Sequence, residues 1–232
     1  MHGGQLLDLE MRFRPSSYFG PTSGYGRLFA SLPDPPRKVG VIGLGASSMV
    51  AYARKGDAFR FYEINPQMLG LAKREFTFLT ESPATIEVVL GDGRLSLERE
   101  PSQQFDVLVM DAFSGDSIPM HLLTREAMAV YVRHLKPGGV LAFQATNRFI
   151  DIAPVVASFA QEYGLAAVLV SDTPDSEEAA DYWLSVTDQI LVTSNRRLLE
   201  SAQIRDAGEV LVAQPNFRVW TDDYNSLWGV LK

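Results

Sequence analysis

The chain has 232 residues, 46% of them hydrophobic and 21% charged, the proportions of an ordinary globular protein rather than a disordered or fibrous one. Lys and Arg number 21 against 28 Asp and Glu, and the formal net charge of −7 excludes nucleic-acid binding by bulk electrostatics. Cysteine is absent, which removes disulfide frameworks, Cys-based zinc sites, iron–sulfur clusters and thiol nucleophiles. No apolar run approaches the roughly 20 residues of a membrane-spanning helix. The opening Met1-His2-Gly3-Gly4-Gln5 lacks the basic-then-apolar order of an export signal, so a cytoplasmic protein is expected.

Up to residue 36 the chain is rich in Gly, Pro, Ser and aromatics. Tyr18-Phe19-Gly20-Pro21 and Ser23-Gly24-Tyr25-Gly26 read as turns, so 1–36 forms a lead-in segment and 37–232 a single α/β domain. From Lys38 short apolar runs alternate with amphipathic stretches, the pattern of βαβ units around a parallel sheet. Strands are expected at Val39–Ile42, Arg60–Glu63, Ile86–Leu90, Val107–Met110, Val140–Thr146, Ala167–Ser171 and Asp188–Thr193, giving a Rossmann-like, seven-stranded sheet. Helices are expected at Ser48–Ala53, Pro66–Phe78, Leu95–Glu98, Thr124–Leu135, Ile152–Tyr163 and Asp175–Ala180. Pro66 suits a first helical turn and Pro137-Gly138-Gly139 a helix stop. Thr173–Asp181 reads as a loop or lid, and Trp220–Lys232 as a capped terminal helix packing Leu227 and Trp228.

An open parallel sheet binds ligands outside the carboxyl ends of its strands, and four such positions carry a signal. After the first strand, Gly43-Leu44-Gly45-Ala46-Ser47-Ser48 is a Gly-rich turn that lets a ligand approach the backbone. After the second stands Glu63, where an acid accepts hydrogen bonds from ribose hydroxyls. After the third comes Gly91-Asp92-Gly93, whose carboxylate can reach an adenine amino group or cap the following helix. After the fourth, Asp111-Ala112-Phe113-Ser114-Gly115-Asp116 places two acids and an aromatic where a co-substrate should lie; of the acids Asp111 is the stronger candidate.

Other chemistry is poorly supported. His121 and His134 form no His-x-x-x-His pair, so no metal is assigned. Ser47 lacks a Gly-x-Ser-x-Gly elbow because residue 49 is Met. Ser48 occupies the last glycine position of a dinucleotide fingerprint. Arg196-Arg197 reads as the solvated start of a helix.

The ordered set resembles the polyamine aminopropyltransferases (spermidine synthases), especially bacterial spermidine-synthase-like domains often joined to a transporter-like membrane region. The stretches that carry the likeness are His2-Gly3-Gly4-Gln5, Tyr18-Phe19-Gly20-Pro21-Thr22-Ser23-Gly24, Val41-Ile42-Gly43-Leu44-Gly45-Ala46, Phe61-Tyr62-Glu63-Ile64-Asn65-Pro66, Gly91-Asp92-Gly93-Arg94, Asp111 to Asp116 and Thr221-Asp222-Asp223-Tyr224. It implies the seven-stranded fold of class I S-adenosylmethionine-dependent methyltransferases, decarboxylated S-adenosylmethionine as donor and a diamine such as putrescine as acceptor. Gly43 and Gly45 would face the ribose and chain of the donor, Glu63 the ribose hydroxyls, Asp92 with Gly93 the adenine, and Gln5 would close over the nucleoside. Asp111 would take the amine proton, Asp116 would help grip the diamine, and Tyr18 or Tyr25 would be a substrate-side tyrosine. The likeness begins almost at Gln5, so 1–36 reads as a remnant of the family's N-terminal region, and a homodimer is expected. The family usually carries an acid in the Gly-rich turn, where this chain has Ala46-Ser47; intact S-adenosylmethionine and methyl transfer are therefore an alternative, as is a nucleoside-binding domain without catalysis.

Overall fold

A computed structural model describes residues 3–112, 119–174 and 182–232. Its sheet runs β1 (Lys38–Ile42), β2 (Ala58–Glu63), β3 (Thr85–Leu90), β4 (Phe105–Met110), β5 (Leu135–Gln144), β6 (Ala166–Asp172), β7 (Thr187–Thr193) and β8 (Gly208–Leu211) along the chain. In space the order is β3-β2-β1-β4-β5-β7-β6-β8, parallel from β3 to β5 and antiparallel from there to β8. All seven expected strands are present. The eighth, Gly-Glu-Val-Leu, is an edge strand whose Val210 is exposed, and so short a run with an exposed apolar residue carries no alternation to read.

The central strand β4 is buried along its whole length, because packed layers cover both faces of the sheet. One layer gathers Phe105, Leu108, Leu122, Met128, Tyr131 and Phe159, and the opposite layer Val39, Phe59, Phe61, Phe78, Val107 and Val109. The second layer also takes Tyr18, Phe19, Tyr25, Leu28 and Phe29, so the core begins well before Lys38. These aromatics belong partly to a helix that the Gly-rich composition conceals, α1 (Gly24–Ser31), N-capped by Ser23. Gln189 of β7, fully buried, fixes it: its side-chain oxygen accepts from Tyr25 N at 2.7 Å and its nitrogen donates to Tyr18 O at 2.9 Å.

Local signals set the other helices. In α2 (Pro66–Glu75) Pro66 follows the N-cap Asn65, whose side chain accepts from Gln67 N. The remaining helices are α3 (Gly93–Arg99), α4 (Arg125–His134), α5 (Ala153–Glu162), α6 (Arg196–Leu199) and α7 (Ala202–Arg205). The expected helix at Ser48–Ala53 is a tighter 3₁₀ segment, Ser48–Tyr52. Pro137-Gly138-Gly139 does not separate α4 from the next strand; β5 starts at Leu135, and these residues lie where the β4–β5 register shifts between Phe105 and Val107. Trp220–Lys232 holds only a 3₁₀ turn at Leu227–Gly229 with Trp228 87% exposed, so the expected terminal helix is absent. The proposed helix Asp175–Ala180, and with it most of the Thr173–Asp181 loop, lies outside the described residues. Among the described residues, no helix is long and apolar enough to cross a membrane.

Far from the crevice, Arg37 and Asp57 form a fully buried ion pair at the entrances of β1 and β2. Asp57 accepts from the Arg37 guanidinium and from the backbone N–H groups of Arg37 and Arg54, and these bonds hold its carboxyl below the ordinary range despite burial. The Arg37 guanidinium also lies over the Phe29 ring. Asp57→Asn leaves that guanidinium buried without its counter-charge, a loss of about 3–5 kcal/mol; urea unfolding of the variant is expected to show it as a lower midpoint with an unchanged slope.

Candidate active site

The reversal of strand order between β1 and β4 opens a crevice at their carboxyl ends. Ile42 lies beside Met110 in the parallel register, so Gly43 and Asp111 leave the sheet side by side, and Asp111 N donates to Ile42 O at 2.9 Å. Gly43 has φ +102, and a Cβ there would stand 2.3 Å from the Asp111 carbonyl oxygen. Only glycine fits both conditions.

Here a cavity of about 580 Å³ is lined by Tyr18, Gly43, Gly45, Glu63, Asp92, Gly93 and Asp111, together with Phe19, Leu44, Ala46, Ser48, Asn65, Met68, His121 and Leu122 among others. The volume and its mostly apolar wall with a few convergent acids suit a nucleoside-sized ligand. Seven of the ten residues expected from the sequence meet in it. Asp116 lies outside the described residues. Tyr25 is fully buried behind the wall, and its hydroxyl has no partner among the described residues. Gln5 is also elsewhere: its side-chain oxygen accepts from Thr77 N at 2.9 Å, and its nitrogen donates to Thr77 Oγ1 at 2.9 Å and Arg12 O at 3.0 Å. The two bonds to Thr77 tie the lead-in segment to the chain after α2 and the third closes a turn within the segment, so in this geometry Gln5 anchors that segment rather than lining the cavity.

The acids are positioned by backbone donors. Glu63 accepts from Leu44 N at 3.0 Å and Asn65 N at 2.8 Å, which binds the Gly-rich turn to the end of β2 and leaves each oxygen a further lone pair. Asp92 caps α3, accepting from Leu95 N at 2.8 Å, and its other oxygen lies 2.8 Å from His121 Nε2. The cap and the cavity wall are thus the same residue. His121, for which the sequence offered no metal role, is half exposed and lines the cavity; the available signal was its place in the connection that follows β4, the strand that delivers Asp111.

Asp111 lies at the foot of the cavity, with the Tyr18 hydroxyl donating to its two oxygens at 3.1 and 3.2 Å. The surrounding protein desolvates the carboxyl and pushes it up to about 7, while the Tyr18 hydrogen bond pulls the other way. Burial first, and then the Asp111 charge, raises the Tyr18 phenol well above its ordinary range, so it stays a donor. His134, by contrast, is buried away from the cavity, 2.8 Å from Leu97 O and accepting from Gln103 N. Among the described residues no group of three or more His, Asp or Glu side chains is arranged to hold a metal.

No protein-family model matches the chain. Over 123 residues it is 32% identical to the polyamine aminopropyltransferase of Vibrio vulnificus strain CMCP6, a match that covers 50% of this chain and 40% of that protein. Over that half the chain is similar to an aminopropyltransferase. The chain spans between 36% and 40% of the length of the curated relatives it matches. Its fold aligns with a probable spermidine synthase from Corynebacterium glutamicum ATCC 13032 at TM-score 0.61 and 17% identity, over 87% of this chain and 81% of that one. It also aligns with a precorrin-6y C5,15-methyltransferase from Geobacter metallireducens GS-15 at TM-score 0.52 and 19% identity, over 75% and 90% of the two chains. The architecture is therefore the Rossmann-like, methyltransferase-type fold, here with a mixed sheet.

The raised Asp111 carboxyl has a measurable consequence. Its folded value lies above the unfolded one, so the folded state binds the proton more tightly and loses stability as pH rises from about 4 to about 7. Asp111→Asn removes that loss. The variant is expected to match the wild type at pH 4 and to exceed it above pH 7 by about 4 kcal/mol, roughly 8–16 °C in midpoint. Thermal unfolding across that range checks it; a gap that does not grow with pH contradicts the raised value.

Proposed function

We propose that the chain is an aminopropyltransferase whose cavity takes decarboxylated S-adenosylmethionine, with Asp111 accepting the proton of a diamine such as putrescine. The observation that carries this reading is the site of Asp111: a desolvated carboxylate at the foot of a nucleoside-sized cavity, facing the Gly-rich turn. Gly43 and Gly45 present backbone to the ribose and chain of the donor, Glu63 faces the ribose hydroxyls, and Asp92 faces the base. Tyr18 holds the Asp111 carboxylate in place.

An alkylammonium, with a pKa of about 10.4 on the lysine model, requires roughly 4–5 kcal/mol to lose its proton near pH 7. A carboxylate attracts the cation and is itself drawn toward its ionised form by it. A base with a value near the working pH is also better matched to proton transfer than an ordinary carboxyl. The amine nitrogen then forms its bond to the donor's propyl carbon as the carbon–sulfur bond breaks. The sulfonium leaves as neutral methylthioadenosine, and the proton passes from nitrogen to Asp111 and on to solvent. Alignment of the two reactants supplies much of the remaining acceleration.

One observation favours a second reading. Where the Gly-rich turn lines the cavity, Ala46 and Ser48 stand there, so the turn itself presents no acid to repel the methionine carboxylate of intact S-adenosylmethionine. Methyl transfer on the same fold is the alternative.

Product analysis by mass spectrometry, with intact and decarboxylated donor across a panel of amines, separates the two. Aminopropyl transfer is expected, with Asp111→Asn lowering turnover at least about 100-fold while methylthioadenosine still binds. At 100 times its dissociation constant that nucleoside should add about 2.7 kcal/mol to stability. Wild-type turnover in the Asn variant overturns the role of Asp111, and a methylated product overturns the aminopropyl reading.

A further inference from the structure

We propose that Asp222, in a C-terminal segment that does not line the cavity, is a positioning residue for the nucleoside end of the site, acting through Arg94. The inference rests on the reading of that end as a nucleoside pocket. Arg94 follows Asp92 and Gly93, and its side chain is only 9% exposed. Its Nη1 donates to Asp222 Oδ1 at 2.7 Å and its Nη2 to Asp222 Oδ2 at 2.6 Å, a two-pronged pairing across 128 positions of sequence. The same Nη1 donates to His121 O at 2.7 Å and Thr124 Oγ1 at 3.3 Å, and Nε donates to Glu98 at 2.9 Å.

Three segments therefore meet at one guanidinium, and two of them build the cavity wall. Asp92 and Gly93 come from the start of α3, and His121 and Leu122 from the connection before α4. The third is the segment 220–224, none of whose residues lines the cavity. Asp222 completes the junction from outside: it accepts from Thr124 Oγ1 at 2.8 Å, and its backbone N–H donates to Glu126 at 2.9 Å. Hydrogen bonding to Arg94 draws the Asp222 carboxyl below the ordinary range, so the pair stays charged at neutral pH. A planar guanidinium gripped by a carboxylate has one orientation. That orientation fixes the His121 carbonyl, and through it the imidazole that stands against Asp92. Without Asp222 the guanidinium keeps its partners within the wall but loses the two bonds that orient it.

The test is the affinity of methylthioadenosine, measured by titration calorimetry well below the unfolding midpoint. A merely destabilising change leaves this affinity untouched while nearly all molecules are folded, because affinity falls only with the competent fraction. Asp222→Asn is expected to weaken binding about tenfold, with Asp222→Glu recovering most of it and the neighbouring Asp223→Asn binding as wild type. Wild-type affinity in Asp222→Asn overturns the proposal. Linkage supplies a second measurement that needs no variant. If the junction orders the pocket, the nucleoside must order the junction by the same factor, so hydrogen exchange at the amides of 222 and 224 is expected to slow when methylthioadenosine binds. Exchange there that is unchanged by a bound nucleoside overturns the proposal too. A wild-type chain that binds no methylthioadenosine overturns the nucleoside reading itself, and this inference with it.

Discussion

The site depends on one close approach, that of Gly43 to the carbonyl of Asp111. Two parallel strands with adjacent registers end together, and their chains turn away from each other because the strand order reverses between them. The chain after β1 can pass the chain after β4 only if residue 43 has no side chain and a positive φ. Everything chemical about the cavity follows from this contact. It sets the Gly-rich turn along one wall, sets Asp111 at the foot, and brings the second strand's Glu63 near enough to accept from Leu44 N.

The acids of the cavity differ because their partners differ. Glu63 and Asp92 receive backbone donors and are fixed as acceptors at the ends of β2 and β3. Among the described residues Asp111 receives only a phenol from the lead-in segment, and its environment withholds water, so its carboxyl is pushed up. A group that must bind a cation and then take its proton is better served by this poorly compensated setting than by a fully satisfied one. The buried pair of Arg37 and Asp57 illustrates the opposite design, in which several donors converge on one carboxylate and hold its charge in place.

Much of this was legible because parallel-strand topology converts sequence position into spatial position. Each strand was an apolar run, and the residue after each run was by rule a crevice residue; Gly43, Glu63, Asp92 and Asp111 required nothing more. The features that were not legible share a different physics. Strand β8 and helix α1 carry weak local patterns and exist because a neighbouring surface needs covering. The hydrogen bonds of Gln5 to Thr77, and the grip of Asp222 on Arg94, join residues 72 and 128 positions apart, and nothing local says which residue pairs with which. The tail was misread for the same reason: a capping pattern ahead of Leu227 and Trp228 looks helical, but Asp222 is engaged by a distant arginine and Trp228 has no surface to pack against.

Gln189 adds a constraint of timing. Its two hydrogen bonds hold Tyr18 and Tyr25 across 171 and 164 positions of chain, so the docking of the segment that brings a phenol to Asp111 is complete only once β7 is in the sheet. Contacts of such long sequence separation require closure of a large loop before they contribute, and topologies rich in them fold slowly. A chain growing from its N-terminus therefore completes the contacts of the aromatic lead-in only after β7 has been made, and rings left partly uncovered are the kind of surface on which incomplete chains associate. The foot of the cavity thus depends on a strand that lies late in the chain.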